Sequence, residues 1–287
     1  AEYMGTNEDA ATNLLPINMP LIKKFLSVPV MSVFLLMGFV YHLTLFVFLH
    51  EWTGLQSSTR SWNVIVFSIT AAMCFISFLV SVGANPSYVS PSFVPDVEAK
   101  PPSDQSPFES RICEKCRRPK PPRAHHCRVC KKCVFKMDHH CLWINNCVGY
   151  GNYKPFILLM FYSTAATTQS SILMFRYFLH EKSYPKETHR ICVLYRCSAM
   201  MMVALWLTLV TLFGWHVYLI IHNMTTIEYR EGKRAAWLAK KSGQSYRHPF
   251  DLSVRHNLAS VFGSNVLLWM WPVASDYVGD EHRSCND

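Results

Sequence analysis

Charge is what this sequence is short of. Asp, Glu, Lys and Arg together make up 16% of its 287 residues, well under the usual quarter of a soluble globular chain. The shortage is concentrated. The runs 25–50, 61–95, 155–175 and 197–227 hold no charged residue at all, and each exceeds the roughly 20 residues a helix needs to cross a ~30 Å hydrocarbon core. A soluble core helix rarely runs so far uncharged, so an ordinary soluble domain is excluded. Four transmembrane helices are predicted, at about 28–49, 62–82, 155–177 and 198–221. Also missing are a secretory-signal pattern in the first residues and any internal repeat beyond overlapping Cys-x-x-Cys units. No ankyrin-type recruiting array is therefore expected.

The charge that is present is placed unevenly. The net charge is +9, and 22 of the 28 Lys and Arg residues lie in 1–24, 84–154 and the segment after 222. Only six flank the two other loops, near 50–61 and 176–196. The positive-inside rule then places both termini and the large central loop in the cytosol. The basic excess reads as orientation and attraction to an anionic leaflet, not as nucleic-acid binding.

The expected organisation is a cytosolic tail (1–24), helices one and two (25–83), a Pro-rich linker (84–107), a cysteine-rich domain (108–153), helices three and four (154–222) and a cytosolic C-terminal region (223–287). Prolines 86, 91, 95, 101, 102 and 107 exclude helix from the linker. Thr225 and Glu228 have the spacing of a capping box, opening a basic helix over 226–240 that suits the membrane interface. The apolar run 266–274 is too short to span, so it packs on the cytosolic face or lies in the interface. His42 and His216 fall inside predicted spans, where bonding to a neighbouring helix is the ordinary reading and a proton relay the sharper one.

Residues 113–147 carry seven of the eleven cysteines and four of the thirteen histidines. Cys113-x-x-Cys116, Cys127-x-x-Cys130 and Cys130-x-x-Cys133 let paired thiolates reach one tetrahedral Zn²⁺ at ~2.3 Å. In the cytosol such a cluster binds metal or does catalysis and is not a disulfide framework. Two closed sites need eight ligands, and the segment offers eleven. A surplus thiol and imidazole beside a carboxylate make a nucleophilic centre, and Asp138-His139-His140-Cys141 supplies all three types. The alternative is that the surplus only supports the metal ligands through hydrogen bonds. Spacing alone does not say which residues are surplus.

The stretch KPPRAHHCRVCKKCVFKMDHHC, followed by WINNCVGYGNYKPF at 143–156, resembles the DHHC family of protein S-acyltransferases. So do Thr225-Thr226-Ile227-Glu228, similar to the family's TTxE motif, and Asn257 with Phe262-Gly263, similar to its PaCCT motif. The likeness runs from about residue 25 to 272. It implies an all-α polytopic membrane protein with a cytosolic zinc-binding domain between helices two and three. It implies two interleaved structural Zn²⁺ sites, Cys113, Cys116, His126 and Cys133 in one and Cys127, Cys130, His140 and Cys147 in the other. Cys141 is then the nucleophile, His139 its base and Asp138 the orienting carboxylate. Thr226 would bond the Asp, or serve only in the first turn of its helix. Asn257 would satisfy backbone groups near helix ends. One departure stands out: Leu142 occupies the place of the family's usual Pro.

The resemblance further implies transfer of a fatty acyl group from acyl-CoA, palmitoyl-CoA above all, through acyl-Cys141 to cysteines of membrane-associated proteins in the Golgi or ER. A 16-carbon chain gains roughly 12 kcal/mol on leaving water, so an apolar cavity beside the cysteine is expected. Leu158, Leu159, Tyr162, Ala165 and Ala166 are its candidate lining, and helix packing is their ordinary role. Arg123, His125 and Lys136 either meet CoA phosphates or are solvated charges near anionic lipid. The competing readings are a non-catalytic zinc-binding membrane adaptor and, from the intramembrane histidines, a transporter.

Overall fold

A computed structural model describes residues 19–49, 57–94, 112–180 and 189–274. The tail to 18, most of the expected outer loop and the linker from 95 to 111 lie outside the described residues.

The helices are α1 (Met19–Phe25), α2 (Val28–His42), α3 (Ser57–Gly83), α4 (Tyr153–His180), α5 (His189–Ile221), α6 (Thr226–Lys241) and α7 (Val254–Phe262). Pro29 sits in the first turn of α2, where its missing N–H has no intrahelical partner to lose. Leu43–Leu49 continue α2 as a π-helical turn. There the Thr44 hydroxyl, 2.7 Å from the Val40 carbonyl, also lies 2.7 Å from Ser170 Oγ on α4.

Among the described residues, four stretches are long and apolar enough to cross a membrane: Val28–Phe46, Ser58–Gly83, Tyr150–Arg176 and Arg196–Ile221. They fall where the charge-free runs placed them, and the chain is an integral membrane protein. Helix α4 is central, with α3 and α5 packed on it. Between spans the contacts are partly polar, as in Trp206 Nε1 donating to Thr168 Oγ1 at 2.9 Å and Gln169 Nε2 to the Asn63 carbonyl at 3.1 Å. Such bonds hold helices that have no hydrophobic incentive to associate in lipid. Met200, Leu207 and Leu212 of α5 face outward.

Between the second and third spans lies a module of three antiparallel hairpins: β1–β2 (Ile112–Cys113, Arg118–Pro119), β3–β4 (His125–Cys127, Lys132–Val134) and β5–β6 (His139–Cys141, Asn146–Val148). Each turns through one left-handed residue, Arg117, Lys131 or Asn145.

Two asparagines fix the module to the membrane helices. Asn146 Nδ2 donates to the carbonyls of Ser81, Val82 and Ala84, and Asn152 Nδ2 to those of Ser81 and Cys147. They thereby satisfy the orphan carbonyls at the end of α3. Gly149 is required at this junction, because a Cβ there would lie 2.5 Å from both the Pro86 carbonyl and Val134 Cγ1. The result is one continuous core in which Cys141, Ile144 and Val148 of the module pack with Phe78, Val82, Phe156, Leu159 and Tyr162 of the helices.

Candidate active site and metal centres

The hairpins bring the eight expected ligands into two groups, Cys113–Cys116–His126–Cys133 and Cys127–Cys130–His140–Cys147, with all ligand atoms of a group within 4.8 Å of one another. In the first, His126 Nδ1 lies 3.7, 3.3 and 3.9 Å from the sulfurs of Cys113, Cys116 and Cys133. In the second, His140 Nδ1 lies 3.6, 3.5 and 3.6 Å from those of Cys127, Cys130 and Cys147. The edges of a tetrahedron around a cation bound at about 2.1–2.3 Å are roughly 3.5–3.8 Å, so both groups fit a four-coordinate metal ion. Each group joins two hairpins: the Cys-x-x-Cys turn of one and the His and distal Cys of the next.

The second and third hairpins follow one plan, which the sequence reading missed. His126 stands opposite Cys133 and Cys127 opposite Lys132, while His140 stands opposite Cys147 and Cys141 opposite Asn146. Cys141 therefore occupies the position that in the preceding hairpin is the metal ligand Cys127. Ile144 takes the place of Cys130. The third hairpin has no second thiol at the turn position 144 and, among the described residues, no fourth hairpin to meet, so Cys141 stands outside both metal groups.

Cys141 is instead set beside an acid–base pair. His139 Nδ1 lies 2.6 Å from Asp138 Oδ2, and Cys141 is near enough to the same ring to raise its proton affinity. Asp138 is 1% exposed. It accepts the Thr226 amide on Oδ1 at 2.7 Å and the Thr226 hydroxyl on Oδ2 at 3.0 Å. Burial works to raise the Asp138 pKa, but its bond to His139, the nearby imidazoles and the Thr226 amide hold it below the usual carboxylate range. Burial works to lower His139, yet the Asp138 bond and Cys141 outweigh it and raise its pKa to about 9. The carboxylate thus fixes the imidazole and favours its charged form, the orienting role of a triad's third member.

Thr226 reaches Asp138 because α6 begins there. The Thr225 side chain accepts Glu228 N, and Glu228 Oε2 accepts Thr225 N at 2.8 Å, so the expected capping box is formed. Asn257 Nδ2 donates to the Ile221 carbonyl at the end of α5 and to Asp251 Oδ1, at 2.6 and 2.7 Å. The turn entered at Leu142 closes through Asn145 N–H to the Leu142 carbonyl at 3.0 Å, so it forms without proline.

The remaining candidates are placed more variously. Leu158, Leu159 and Tyr162 share the core around Cys141, and Tyr162 Oη donates to the Met270 carbonyl at 2.7 Å. That bond, with Lys154 Nζ to the Leu268 carbonyl at 2.8 Å, packs the 266–274 run against α4. Ala165 is half-buried. Ala166 lies deeper along α4, in a second cluster with Val40, Leu43, Phe67 and Met202. Lys136 Nζ donates to Asn223 Oδ1 at 3.0 Å, and burial first, then Arg123, push its pKa down to about 7 against the pull of Glu228. Arg123 is engaged by Glu228 and Asn223. His125 and Arg123 line a cleft of about 340 Å³ with Lys120, Tyr246, His248 and Phe250.

Sequence reading gave no role to Asn223, whose carbonyl and side chain collect Arg123, Lys136 and His248, nor to Asn146 and Asn152, and it marked Tyr153 only as an aromatic near a span end. No spacing signal marks them, because their partners lie far away in the chain.

A buried Cys–His–Asp constellation, held by two Cys/His metal groups at the end of a four-span bundle, defines a membrane-embedded thiol-dependent transferase of the cysteine-rich type. The comparisons narrow the class. Residues 106–233 match the family model described as DHHC palmitoyltransferase. The chain is 50% identical over 237 residues to "Probable protein S-acyltransferase 15" of Arabidopsis thaliana, covering 82% of this chain and 93% of that protein. It is 42% identical over 267 residues to "Probable protein S-acyltransferase 16" of the same plant, covering 90% and 92%. It is 35% identical over 183 residues to "Palmitoyltransferase ZDHHC15" of Homo sapiens, covering 62% and 52%. The chain belongs to the DHHC palmitoyltransferase family.

Proposed function

We propose that this protein is a protein-cysteine S-acyltransferase that moves a long-chain fatty acyl group from acyl-CoA, palmitoyl-CoA first among them, to cytosolic cysteines of membrane-associated proteins through a thioester on Cys141. The observation that carries the reading is the Cys141–His139–Asp138 arrangement inside the apolar core at the head of α4.

The chemistry follows from the residues. A free thiol with a pKa near 8.5 is only a few per cent thiolate at neutral pH. His139, with its pKa raised to about 9, holds the proton taken from Cys141 as an imidazolium while the sulfur attacks the thioester carbonyl. The C–S bond to CoA then breaks, and the departing CoA sulfur takes the proton back from His139. An acceptor thiol repeats the sequence: His139 takes its proton, its sulfur attacks acyl-Cys141, and the Cys141 sulfur leaves and is reprotonated. Asp138 stays ionised throughout and stabilises the imidazolium of each step. The acyl chain is buried against Leu159 and Tyr162, with Ala165 and Ala166 further along α4 for longer chains.

Two zinc ions are the metals that best suit the Cys₃His groups. Zinc supplies cross-links between hairpins, and residues 113–147 would hold it; the acyl transfer itself runs through Cys141, His139 and Asp138. The cleft at His125, Lys120 and Tyr246 suits the nucleotide phosphates of CoA. Arg123 serves there chiefly as a wall, and Lys136, with its lowered pKa, is a weaker phosphate partner. Both termini are placed in the cytosol by the Lys and Arg distribution, and Golgi or ER is the proposed residence.

The test is incubation of purified protein with labelled palmitoyl-CoA, followed by hydroxylamine. The expected result is a labile adduct that Cys141→Ser abolishes. No adduct on the wild type would overturn the enzyme reading in favour of a non-catalytic adaptor, and an adduct surviving Cys141→Ser would move the nucleophile elsewhere.

A further inference from the structure

A single hydrogen bond does not fix an imidazole. The Asp138 bond anchors Nδ1 of His139, but the ring can still swing about that contact and carry its far edge away from Cys141. Efficient proton transfer needs that edge held within hydrogen-bond reach. Something must bound the ring on its other sides.

The membrane helices supply the bound. Phe156 of α4 meets the His139 ring edge-on, at a centroid distance of 5.5 Å and an interplanar angle of 71°. Phe156 meets a second imidazole in the same way: His216 of α5, at 5.2 Å and 77°. His216 itself lies 6.1 Å from the His139 ring, tilted by 36°. It is 4% exposed. Its Nδ1 lies 3.3 Å from Tyr153 Oη, and Tyr153 is itself buried at the start of α4. The order of support is thus Tyr153 to His216 and Phe156, and from these to His139. The ordinary reading of a histidine in a span is satisfied by Tyr153 alone. It does not account for the placement of the ring against the catalytic base.

We infer that His216 is a positioning residue for His139: locked by Tyr153, it forms with Phe156 the membrane-side wall that keeps the His139 ring aimed at Cys141 through both half-reactions. The inference rests on the acyl-transfer reading above.

It is tested in the purified full-length enzyme by steady-state palmitoyl transfer to a cysteine peptide, with bound zinc and thermal midpoint measured on each variant. His216→Ala is expected to lower kcat at least ~10-fold, a part of the ~10²–10⁴ that a placed acid–base group contributes, with KM for palmitoyl-CoA and zinc content unchanged. His216→Asn, whose amide can replace Nδ1 toward Tyr153, is expected to restore most of the loss. Tyr153→Phe is expected to lower kcat similarly, and the double variant to be no worse than either single one, since both act through one ring.

Independent, multiplicative losses from the two variants would overturn the inference. So would a raised KM at unchanged kcat, or a fall matched by lost zinc. Should His216→Ala fail to fold, Tyr153→Phe decides: full kcat in a folded Tyr153→Phe enzyme overturns the inference. Wild-type acylation is measured alongside, so failure of the acyl-transfer reading itself would be seen separately.

Discussion

Arg123 of the hairpin module grips Glu228 of α6 with two parallel bonds, Nε to Oε1 at 2.6 Å and Nη2 to Oε2 at 2.8 Å, although the residues are 105 positions apart in the chain. Both side chains are about nine-tenths buried, at 10% and 8% exposure. The pair ties the hairpin module to the helix whose first turn holds Asp138. Its fork geometry is one that lysine cannot reproduce.

Removing one partner strands the other's charge, which costs about 3–5 kcal/mol for a buried pair. Arg123→Ala and Glu228→Ala should each lower the thermal midpoint markedly, and Arg123→Lys should recover only part of the loss. Glu228→Ala should also weaken palmitoylation, because the Thr225 cap and the Thr226 bonds to Asp138 go with it. Differential scanning fluorimetry in detergent, beside an acylation assay, checks both.

The same pair sets a pH signature. Burial works to raise the Glu228 pKa, but the Arg123 bond outweighs it and leaves the group depressed. A depressed carboxylate contributes stability that is fully present above its unfolded value of about 4.3 and is lost as pH falls through the folded value. The midpoint deficit of Glu228→Gln should be constant from about pH 8 to pH 5 and should shrink below about pH 4. A deficit that changes between pH 6 and 8 would assign the effect to another group.

Asp138→Asn keeps the shape of the site and removes the charge that raises His139. Acyl-enzyme formation should fall by about 10²–10⁴, the usual contribution of a positioned base. Both metal ions should remain, since Asp138 belongs to neither ligand group. Rapid-quench labelling with palmitoyl-CoA and elemental analysis separate the two outcomes.

The metal groups are not equivalent with respect to Cys141. The second one holds the hairpin that carries Cys141, the proposed nucleophile, through His140 and Cys147. His140→Ala should lose one metal ion and nearly all acylation. His126→Ala should also lose one ion but keep a larger share of activity, because the hairpin it loosens does not carry Cys141. Equal loss in both would mean that the module folds as one unit.

The four spans and the metal ligands were legible because their signals are local: runs without charge, and soft ligands at short spacing. The partition of ligands was not legible from spacing, because each ion takes its ligands from two hairpins. The hairpin plan shared by 125–134 and 139–148 stood in the sequence, yet Leu142, Trp143, Ile144 and Asn145 stand where Arg128, Val129, Cys130 and Lys131 do and hide it. Neither Asn146, within the 143–156 stretch, nor Asn223 could be given a role. Asparagine is common, and only the fold shows that Asn146 closes the end of α3 or that Asn223 lies beside Arg123, 100 positions away. The CoA candidates were chosen for charge alone, which gave no sign that Lys136 is bonded to Asn223 or that Arg123 is already paired.

A chain of hairpins stapled pairwise obeys the arithmetic of fence posts. Three hairpins leave two gaps to be filled, and the last one always ends with a sulfur that nothing claims. Cys141 is that unclaimed sulfur, and it stays outside the metal groups because Ile144 stands where a second thiol would. Ile144→Cys would recreate the thiol pair of the preceding hairpin, and trace zinc should then inhibit the variant at concentrations that leave the wild type active. Ile144, at 1% exposure, is in this sense a guard against poisoning: a buried hydrocarbon that denies the proposed nucleophile a second thiol with which to capture a metal ion.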